Sequence, residues 1–422
     1  MTNHVSGKPL RILCISPEFV PSSNPEAFCT AKLVQSLQGR GASFTVLSSI
    51  NLHSAHPDTS PMWESLRSIT VDLPQFPSHA IWRSAKAAIR FQTAHYARWV
   101  GSAVENAARL HLENNFDLVY SRSLPGAAHI AGFWCAKRFN LPWIANINDP
   151  FDFSLYLPKD GRRPSLDRYN HLLWLNRTLR NADVVTYPCS RLYNFHRRLA
   201  RIDHPAKTIP HIGYASTQRD ARPVDEFRLL HAGNIDPGSG RSLDPLLLGL
   251  RAFLESVPDA APYLRLVLVG RLQRGSDDLI RSLGLAQYIR HVGEVPYGES
   301  LNHIAAASVC VLIEAAFEEG IFFPSKLADY LVAGKPVLAF SPSKGVAADL
   351  ADRGEVVLVE QDPTTVQRAI EMLYRHFKCG TLQSCSPSEQ TVNELEGPSV
   401  GRRFLALCKD VIAARQQHRP VQ

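Results

Sequence analysis

The chain has 422 residues, of which 45% are apolar and 20% are charged. This length and composition predict a globular protein of two domains and exclude a disordered one. The formal charge of +7 favours an anionic partner, which can be a nucleotide phosphate, a membrane surface or a nucleic acid. No apolar run reaches the roughly eighteen residues of a membrane span, and the polar start Met1–Leu10 lacks the pattern of a signal peptide.

Cysteine and histidine usage argues against a metal or disulfide framework. The eight cysteines and sixteen histidines show none of the spacings typical of zinc or redox sites. Cys14 and Cys310 lie in apolar runs, where a buried thiol is expected. We therefore expect a cytoplasmic protein with reduced cysteines and no bound metal.

The first half of the chain alternates strand and helix patterns. Short β-branched runs predict strands, and longer runs with helical periodicity predict helices. In chain order they are strand Arg11–Ser16, helix Ala27–Arg40, strand Ser43–Ser49, strand Asp117–Ser121, helix Gly126–Phe139 and strand Trp143–Ile147. This alternation predicts a parallel sheet with helices on both faces.

The same alternation restarts after residues 206–225, a stretch with prolines and glycine that we interpret as a linker. The predicted strands are Phe227–Ala232, Leu264–Val269, Ile289–Val292, Ser308–Ile313, Val337–Phe340 and Val356–Val359. The predicted helices are Asp244–Ser256, Asp277–Leu283, Lys326–Ala333 and Thr364–His376. The halves predict an α/β protein of two Rossmann-like, doubly wound parallel-sheet domains, 1–205 and 226–397, that face a cleft.

The end of the chain is predicted to contain a loop and a helix. Gly380–Gly397 is polar and serine-rich, which is typical of a surface loop. Val400–Arg415 has the pattern of an amphipathic helix. It lies in a C-terminal segment, 398–422, that we expect to pack back on one of the domains, with the N-terminal domain as a candidate.

The strongest local signal for function is Phe322–Pro336. Ser325 suits a helix N-cap and Gly334 a helix stop, so the first turn between them offers free backbone N–H groups to an anion. Lys326 adds positive charge where it disfavours the helix, and such a conflict often marks function. Asp329 lies one turn further on the same face, where a carboxylate can accept two ribose hydroxyls. The alternative is a solvent-exposed ion pair.

A second candidate phosphate site is the glycine-rich stretch Gly233–Asp244. Its glycines let the backbone approach a phosphate, and Arg241 can hold one with two hydrogen bonds. The stretch matches neither the dinucleotide fingerprint nor the P-loop. The alternative is a plain turn.

These segments resemble a known family. Pro324–Pro336 resembles the donor-site signature of the retaining GT-B glycosyltransferases of family four, P-[ST]-K-[LI]-x-E-Y-[LM]-x-[AS]-G-[KR]-P, with Asp329 in place of the usual glutamate. Weaker matches keep the family's order; they are Ile12–Pro17, Pro21–Pro25, Asn148–Pro150, Asn181–Thr186, Ile209–Tyr214, Leu266–Gly270 and His291–Pro296. The resemblance spans residues 11–375.

The resemblance implies a GT-B fold and transfer of a hexose-type sugar from a nucleotide-sugar donor to an acceptor, with retention and without a metal or other cofactor. It places Lys326 and Arg241 at the donor diphosphate, where their charge stabilises the leaving group. It places Asp329 at the ribose and Gly233 where the backbone approaches the phosphates. Further donor-site residues by the same resemblance are Asn234, Glu318, Glu319, Phe322, Phe323 and Ser325.

Two positions depart from the family pattern. Ile321 stands where an acidic residue is usual, and Asn234 stands where an arginine is usual. Two other functions therefore stay open for the same architecture: a sugar-nucleotide epimerase, and a nucleotide-sugar-binding protein with weak or no catalysis.

The acceptor side is predicted from two features. Asp149 ends a predicted strand and is our candidate for orienting the acceptor or removing its proton; the alternative is a cap before Pro150. His129 is expected to be structural. Ala80–His111 is basic with interleaved aromatic residues, a pattern compatible with an anionic membrane surface that carries a lipid-linked acceptor, as in polysaccharide biosynthesis. The alternative is an ordinary surface helix, and no motif predicts nucleic acid. The expected location is the cytoplasm, peripheral to the inner face of the membrane.

Overall fold

The computed structural model describes residues 8–50, 57–74, 94–150, 166–216, 226–235 and 240–417. These residues form two compact units. The N-terminal unit contains the residues up to Pro210 together with those from Gly397 onward, and the C-terminal unit is His211–Glu396.

The N-terminal unit is built on a sheet of seven parallel strands in the order β3-β2-β1-β4-β5-β6-β7. The strands are β1 Leu10–Ile15, β2 Ala42–Ile50, β3 Thr70–Pro74, β4 Leu118–Ser123, β5 Trp143–Ile147, β6 Val184–Tyr187 and β7 Ala206–Thr208. The helices are α1 Pro25–Leu37, α2 Glu64–Arg67, α3 Ala94–Asn114, α4 Ala127–Phe139, α5 Leu166–Asn181 and α6 Ser190–Ala200. Strands β4 and β5 are buried along their whole length, as expected for parallel strands covered on both faces.

Helix α1 carries the acidic residue Glu26 in its first turn. The helix begins at Asn24, whose side chain accepts a hydrogen bond from Ala27 N at 2.9 Å, and Pro25 occupies its first position. It ends at Leu37, before the predicted end at Arg40, because Gly39 adopts a φ of 71° and starts the turn into β2.

The last helix, α14 (Gly397–Gln417), belongs to the N-terminal unit. The ring of Phe404 packs on Tyr120 of β4, with ring centroids 4.7 Å apart. Arg415 Nη1 lies 2.9 Å from Asp183 Oδ1, just before β6. These contacts come from an amphipathic stripe that the sequence shows between residues 400 and 415.

The C-terminal unit has six parallel strands in the order β10-β9-β8-β11-β12-β13. The strands are β8 Phe227–Ala232, β9 Leu264–Val269, β10 Ile289–Gly293, β11 Val309–Ile313, β12 Val337–Phe340 and β13 Val357–Val359. The helices are α7 Asp244–Ser256, α8 Ser276–Ser282, α9 Tyr297–Ala306, α10 Ser325–Val332, α11 Val346–Ala351, α12 Pro363–Lys378 and α13 Glu389–Leu395.

Both sheets confirm the predicted doubly wound α/β class. The strand order reverses between β1 and β4 in one sheet and between β8 and β11 in the other. In open parallel sheets, ligands bind outside the carboxyl ends of the strands at such a reversal. Each unit therefore has one position at which its topology favours a ligand.

The chain enters and leaves the C-terminal unit at adjacent points. Gly213 pairs with Glu396 in a parallel bridge, and its N–H donates to Leu395 O at 3.0 Å. A Cβ at position 213 would lie 2.1 Å from the backbone oxygen of Ala328 in α10. Only glycine fits at this close approach.

Several sequence predictions differ from the structure. The loop expected over Gly380–Gly397 is wrong in part, because Leu382–Cys385 form a 3₁₀ turn and α13 follows. Ser388 caps α13 by accepting from Thr391 N at 3.2 Å, so polar residues that resemble a loop serve here as a helix start. The first residues of the segment interpreted as a linker form the edge strand β7, and its residues 217–225 lie outside the described residues.

The basic stretch Ala80–His111 falls largely outside the described residues, up to residue 93. Its later part belongs to α3, where Trp99 is buried and its Nε1 donates to Ser48 O at 3.3 Å. Trp99 is thus a core residue, contrary to its expected place on a surface. In the described part of the chain, no helix is long and apolar enough to cross a membrane. All eight cysteines are free thiols.

Candidate active site

Helix α10 runs from Ser325 to Val332, one residue earlier at each end than the predicted Lys326–Ala333. Pro324 is the N-cap and makes no side-chain cap, and Ser325 is the first helical residue, so the predicted Ser325 cap is wrong. Pro324 fixes an extended conformation before the helix in place of a capping hydroxyl. The stop at Gly334 matches the prediction, because this glycine adopts a φ of 65° and donates to Leu331 O at 2.9 Å.

The helix is fixed to the carboxyl end of β8. Tyr330 of α10 is fully buried, and its hydroxyl accepts a hydrogen bond from Ala232 N at 2.9 Å. The next residue, Gly233, has a φ of 138°, and a Cβ there would lie 2.0 Å from Lys326 Nζ. The glycine therefore opens the space that the lysine ammonium occupies.

Lys326 Nζ is buried although the residue as a whole keeps partial exposure. It has no hydrogen-bond partner among the described residues. The pKa of Lys326 is lowered to about 7, mainly by burial and then by the positive charge of Arg241, while Glu314 acts in the opposite direction. A buried ammonium without a partner is costly and is satisfied when an anion binds.

Two buried titratable residues beside Lys326 were missed by the sequence analysis. Glu314 follows β11 directly, and its Oε2 accepts a hydrogen bond from the hydroxyl of Ser341, which follows β12. Burial raises the pKa of Glu314, against the effects of Ser341, Arg241 and Lys326. The sequence does contain a signal that could have identified Glu314, namely a charged residue directly after an apolar strand.

His231, in β8, is the second missed residue. It is fully buried, and its Nδ1 lies 3.0 Å from Val311 O, which assigns the ring proton to that nitrogen. Burial, followed by the charge of Lys326, holds the pKa of His231 well below its usual range. The ring is therefore neutral and adds no charge to the site.

Arg241 lies just before α7 and is half-buried. The preceding residues 236–239 of the glycine-rich stretch lie outside the described residues. The positive charge of Arg241 lowers the pKa values of Lys326 and of Glu314. Gly233 and Lys326 are thus in contact, and the charge of Arg241 acts on Lys326; their common role at a diphosphate stays a prediction.

Asp329 is buried and tied into the C-terminal unit. Its Oδ1 accepts hydrogen bonds from Tyr214 N at 2.8 Å and from the Tyr297 hydroxyl at 3.0 Å. The carboxylate therefore connects α10 to the segment that enters the unit and to α9. The solvent-exposed Lys326–Asp329 pair considered as an alternative does not form among the described contacts, since both polar groups are buried.

Asn234 adjoins the end of β9. Its Oδ1 accepts from Arg271 N at 2.9 Å, and its Nδ2 lies 3.3 Å from Glu294 Oε1. Glu294 also pairs with the Arg271 guanidinium at 3.2 Å. An amide at position 234 thus orders the loops after β8 and β9.

The loop between β11 and α10 supplies the remaining predicted donor-site residues. Glu318 is exposed, Glu319 and Phe322 are half-buried, and Phe323 is buried against the ring of His211. Gly320 anchors the loop by donating to Lys344 O at 2.8 Å. Ile321, at the position where the family has an acidic residue, is 1% exposed and packs inward.

Asp149 lies in the N-terminal unit, directly after β5, and is half-buried. His129 of α4 is fully buried and hydrogen-bonds Ser121 Oγ through Nδ1 at 2.8 Å. Burial lowers the pKa of His129 to about 3, so this ring is neutral.

Family models match both parts of the chain. The Glycosyl transferase 4-like domain matches residues 27–210, and the Glycosyl transferases group 1 domain matches residues 238–376. The chain belongs to the group 1, family 4-like glycosyltransferases. The second match contains Arg241, Glu314 and Lys326, and the first contains Asp149.

Solved structures share the GT-B fold with this glycosyltransferase. Sucrose-phosphate synthase from Thermosynechococcus elongatus is 18% identical, with 96% of this chain and 100% of that chain covered and a TM-score of 0.68. Anabaena HepE in complex with UDP and glucose is 15% identical, with 95% and 100% covered and a TM-score of 0.64. A UDP-N-acetylglucosamine 2-epimerase is 12% identical, with 98% and 99% covered and a TM-score of 0.58. No curated protein matches the chain in sequence.

Proposed function

We propose that this glycosyltransferase takes a hexose from a nucleotide-sugar donor and passes it to an acceptor hydroxyl with retention of the anomeric configuration. The donor diphosphate would lie at the start of α10, between Lys326 and Arg241. Asp329 would accept the ribose hydroxyls, and the loop that contains Glu318, Glu319, Phe322 and Phe323 would line the sugar.

One observation carries this proposal: the unpartnered, buried ammonium of Lys326 above Gly233. It lies where the strand order of the C-terminal sheet reverses, at the start of a helix whose first N–H groups and dipole favour an anion. A sugar diphosphate gains negative charge as it leaves, so a cation fixed at this point stabilises the transition state more than the ground state. The structurally similar HepE, solved in complex with UDP and glucose, supports a nucleotide sugar as the ligand.

The cations of the chain itself would balance the leaving diphosphate, so we propose that no metal takes part. The acceptor would be lipid-linked and reached at an anionic membrane surface through the basic stretch around Arg83, Lys86 and Arg90. Replacing these three residues by glutamine should weaken binding to vesicles that contain anionic lipid at low salt. Equal binding of the variant and the wild type would exclude this role for the stretch.

The donor site is tested by calorimetric titration with UDP, GDP and their glucose esters. We expect one nucleotide to bind and Lys326→Ala to weaken it by about 2 kcal/mol or more, the effect of losing a buried charge-assisted contact. Lys409→Ala, on an exposed position of α14, is the matched control and should bind normally. Unchanged affinity in Lys326→Ala would contradict the assigned site.

The reaction is tested by following nucleotide release and sugar identity. A transferase releases nucleoside diphosphate when an acceptor preparation is added and leaves the free donor sugar unchanged. Conversion of the free donor to its epimer would identify an epimerase instead. Binding without either reaction would identify a nucleotide-sugar-binding protein.

A further inference from the structure

Glu314 is a buried acidic residue at the carboxyl edge of the C-terminal sheet. It directly follows β11 and is 7% exposed. Strand β11 lies beside β8, and Cys310 of the one pairs with Leu230 of the other. Four residues beyond this pair stand Glu314 and Asn234, so the acidic residue leaves the sheet beside Gly233. This is the point at which the strand order reverses.

Two cations of the proposed diphosphate site lie around this carboxylate. Lys326 Nζ lies over the end of β8, the strand next to β11. A Cβ at Gly240 would lie 3.3 Å from the Cβ of Ala315. The turn that leads into Arg241 therefore rests on the residue that follows Glu314. The pKa of Lys326 reflects both charges, because Arg241 adds to the lowering caused by burial and Glu314 opposes it.

The fold fixes the position of Glu314 through its backbone and its side chain. Its N–H donates to Phe340 O at 2.9 Å, and its C=O accepts from Gln361 Nε2 at 2.9 Å. Its Oε2 accepts a hydrogen bond from the Ser341 hydroxyl. Burial raises the pKa of Glu314, whereas Ser341 and the two cations lower it. The hydroxyl and the cations thus stabilise the charged carboxylate against the cost of burial.

The net charge of the proposed site is smaller than its two cations suggest. Two cations and one carboxylate leave a single positive charge when Lys326 is protonated. The diphosphate of a nucleotide sugar is esterified at both ends and carries two negative charges. A free nucleoside diphosphate carries a third at pH 8, because its terminal phosphate loses a second proton at about pH 6. That third charge is repelled by the carboxylate as well as attracted by the cations.

We propose that the Glu314 carboxylate sets the charge preference of the donor site, so that the site holds a diphosphate diester and releases the more highly charged nucleoside diphosphate. Glu314 acts through its charge and determines specificity. The same charge opposes the one that develops on the leaving diphosphate, so the carboxylate favours product release over the chemical step. This inference rests on the proposed transfer reaction, because the transfer produces the free nucleoside diphosphate.

The test uses the full chain and two ligands that differ by one charge, UDP and its β-methyl ester, titrated by calorimetry at pH 8. Inorganic pyrophosphate and symmetrical dimethyl diphosphate form a second pair without a nucleoside. The measured quantity is the ratio of the two dissociation constants within a pair. The protonation of Lys326 in the empty site affects both ligands alike and cancels in this ratio. We expect the wild type to bind each ester at least as tightly as the free diphosphate.

Variants separate the charge of Glu314 from its shape. Glu314→Gln keeps the shape, loses the charge and should shift the ratio about tenfold in favour of UDP. Glu314→Asp keeps the charge in a shorter side chain and should keep the wild-type ratio, whereas both variants would weaken a purely structural tie between β11 and β12. The matched control is Glu355→Gln, because Glu355 is buried and accepts from the Ser388 hydroxyl at 2.7 Å, at the start of α13. Its ratio should be that of the wild type, and thermal unfolding shows which variants fold.

Three results would overturn the inference: a wild type that binds UDP about tenfold more tightly than its β-methyl ester, an unchanged ratio in Glu314→Gln, or equal shifts in Glu314→Gln and Glu314→Asp. The first result needs no variant. If only the pyrophosphate pair binds the wild type, uridine is excluded as the nucleoside and that pair decides the inference. If neither pair binds, the proposed donor site itself fails, and this inference fails with it.

Discussion

The affinity for a nucleotide sugar should fall as the pH rises through 7, because the buried ammonium of Lys326 is only partly protonated in the empty site. Its pKa there is about 7. A bound diphosphate favours the charged form and raises that pKa. The complex then holds more protons than the empty protein, so binding takes up a proton and is favoured below pH 7.

The size of the effect follows from the protonated fraction. With a pKa of about 7, that fraction is about 0.9 at pH 6, about 0.5 at pH 7 and about 0.1 at pH 8. If only the ammonium form binds, the apparent Kd increases inversely with this fraction. The affinity should therefore fall about tenfold between pH 6 and pH 8, which corresponds to about 1.4 kcal/mol.

UDP-glucose is the suitable ligand, because its doubly esterified diphosphate has no proton that titrates near pH 7. Calorimetric titrations at pH 7 in Bis-Tris and in Tris, two phosphate-free buffers whose ionisation enthalpies differ, should report uptake of about half a proton. Glu314 raises the pKa of Lys326, so Glu314→Gln should move the pH dependence to lower pH. His231 is neutral throughout this range. A Kd constant from pH 6 to pH 8, with no effect of buffer, would refute the reasoning.

Three further predictions concern the same unit. Gly233→Ala should displace the Lys326 ammonium and weaken donor binding about tenfold or more. The control is Gly275→Ala, which also has a positive φ but open space around it, and it should lower only the stability of the fold. Equal donor affinities of the two variants in titrations would contradict this prediction. Asp329→Asn should lower the affinity for the nucleoside about tenfold. It should cost little stability, because the amide oxygen of asparagine can accept the same two hydrogen bonds as the carboxylate of Asp329. Tyr297→Phe should instead lower the free energy of unfolding by about 1 kcal/mol in thermal unfolding and leave the affinity unchanged. Activity should be complete in EDTA, and a strict requirement for Mg²⁺ in the transfer assay would count against charge balance by the chain's own cations.

The sequence was sufficient for the parts of the site that follow local rules. The helix with Lys326 could be predicted because Gly334 and Pro336 mark its end, and the adjacent strands could be predicted from their apolar runs. Gly233 could be predicted as a position that needs a glycine because it ends such a run, but the group that fills the space in the structure is the Lys326 ammonium, and the approach to a phosphate stays a prediction. These features depend on neighbours along the chain.

The residues that the sequence missed depend on neighbours across the sheet. Glu314 and Ser341 meet only because β11 and β12 are adjacent, and His231 faces Lys326 only because α10 lies over the end of β8. Trp99 showed the opposite error: beside arginines it resembled a surface aromatic residue, yet it is buried against β2. Helix α13 was missed because its capping residues have the composition of a loop.

The C-terminal unit is inserted in the chain of the N-terminal unit, and the bridge between Gly213 and Glu396 holds its two ends together. Both crossings of the chain lie side by side, and each is fixed to the unit by backbone hydrogen bonds or by close packing on α10. A segment with such adjacent ends is suited to replacement by its counterpart from another glycosyltransferase, because the two chain joints that have to be rebuilt lie next to each other. Hybrid enzymes that keep the N-terminal unit and exchange the C-terminal unit should therefore be joined at Pro210 and Gly397.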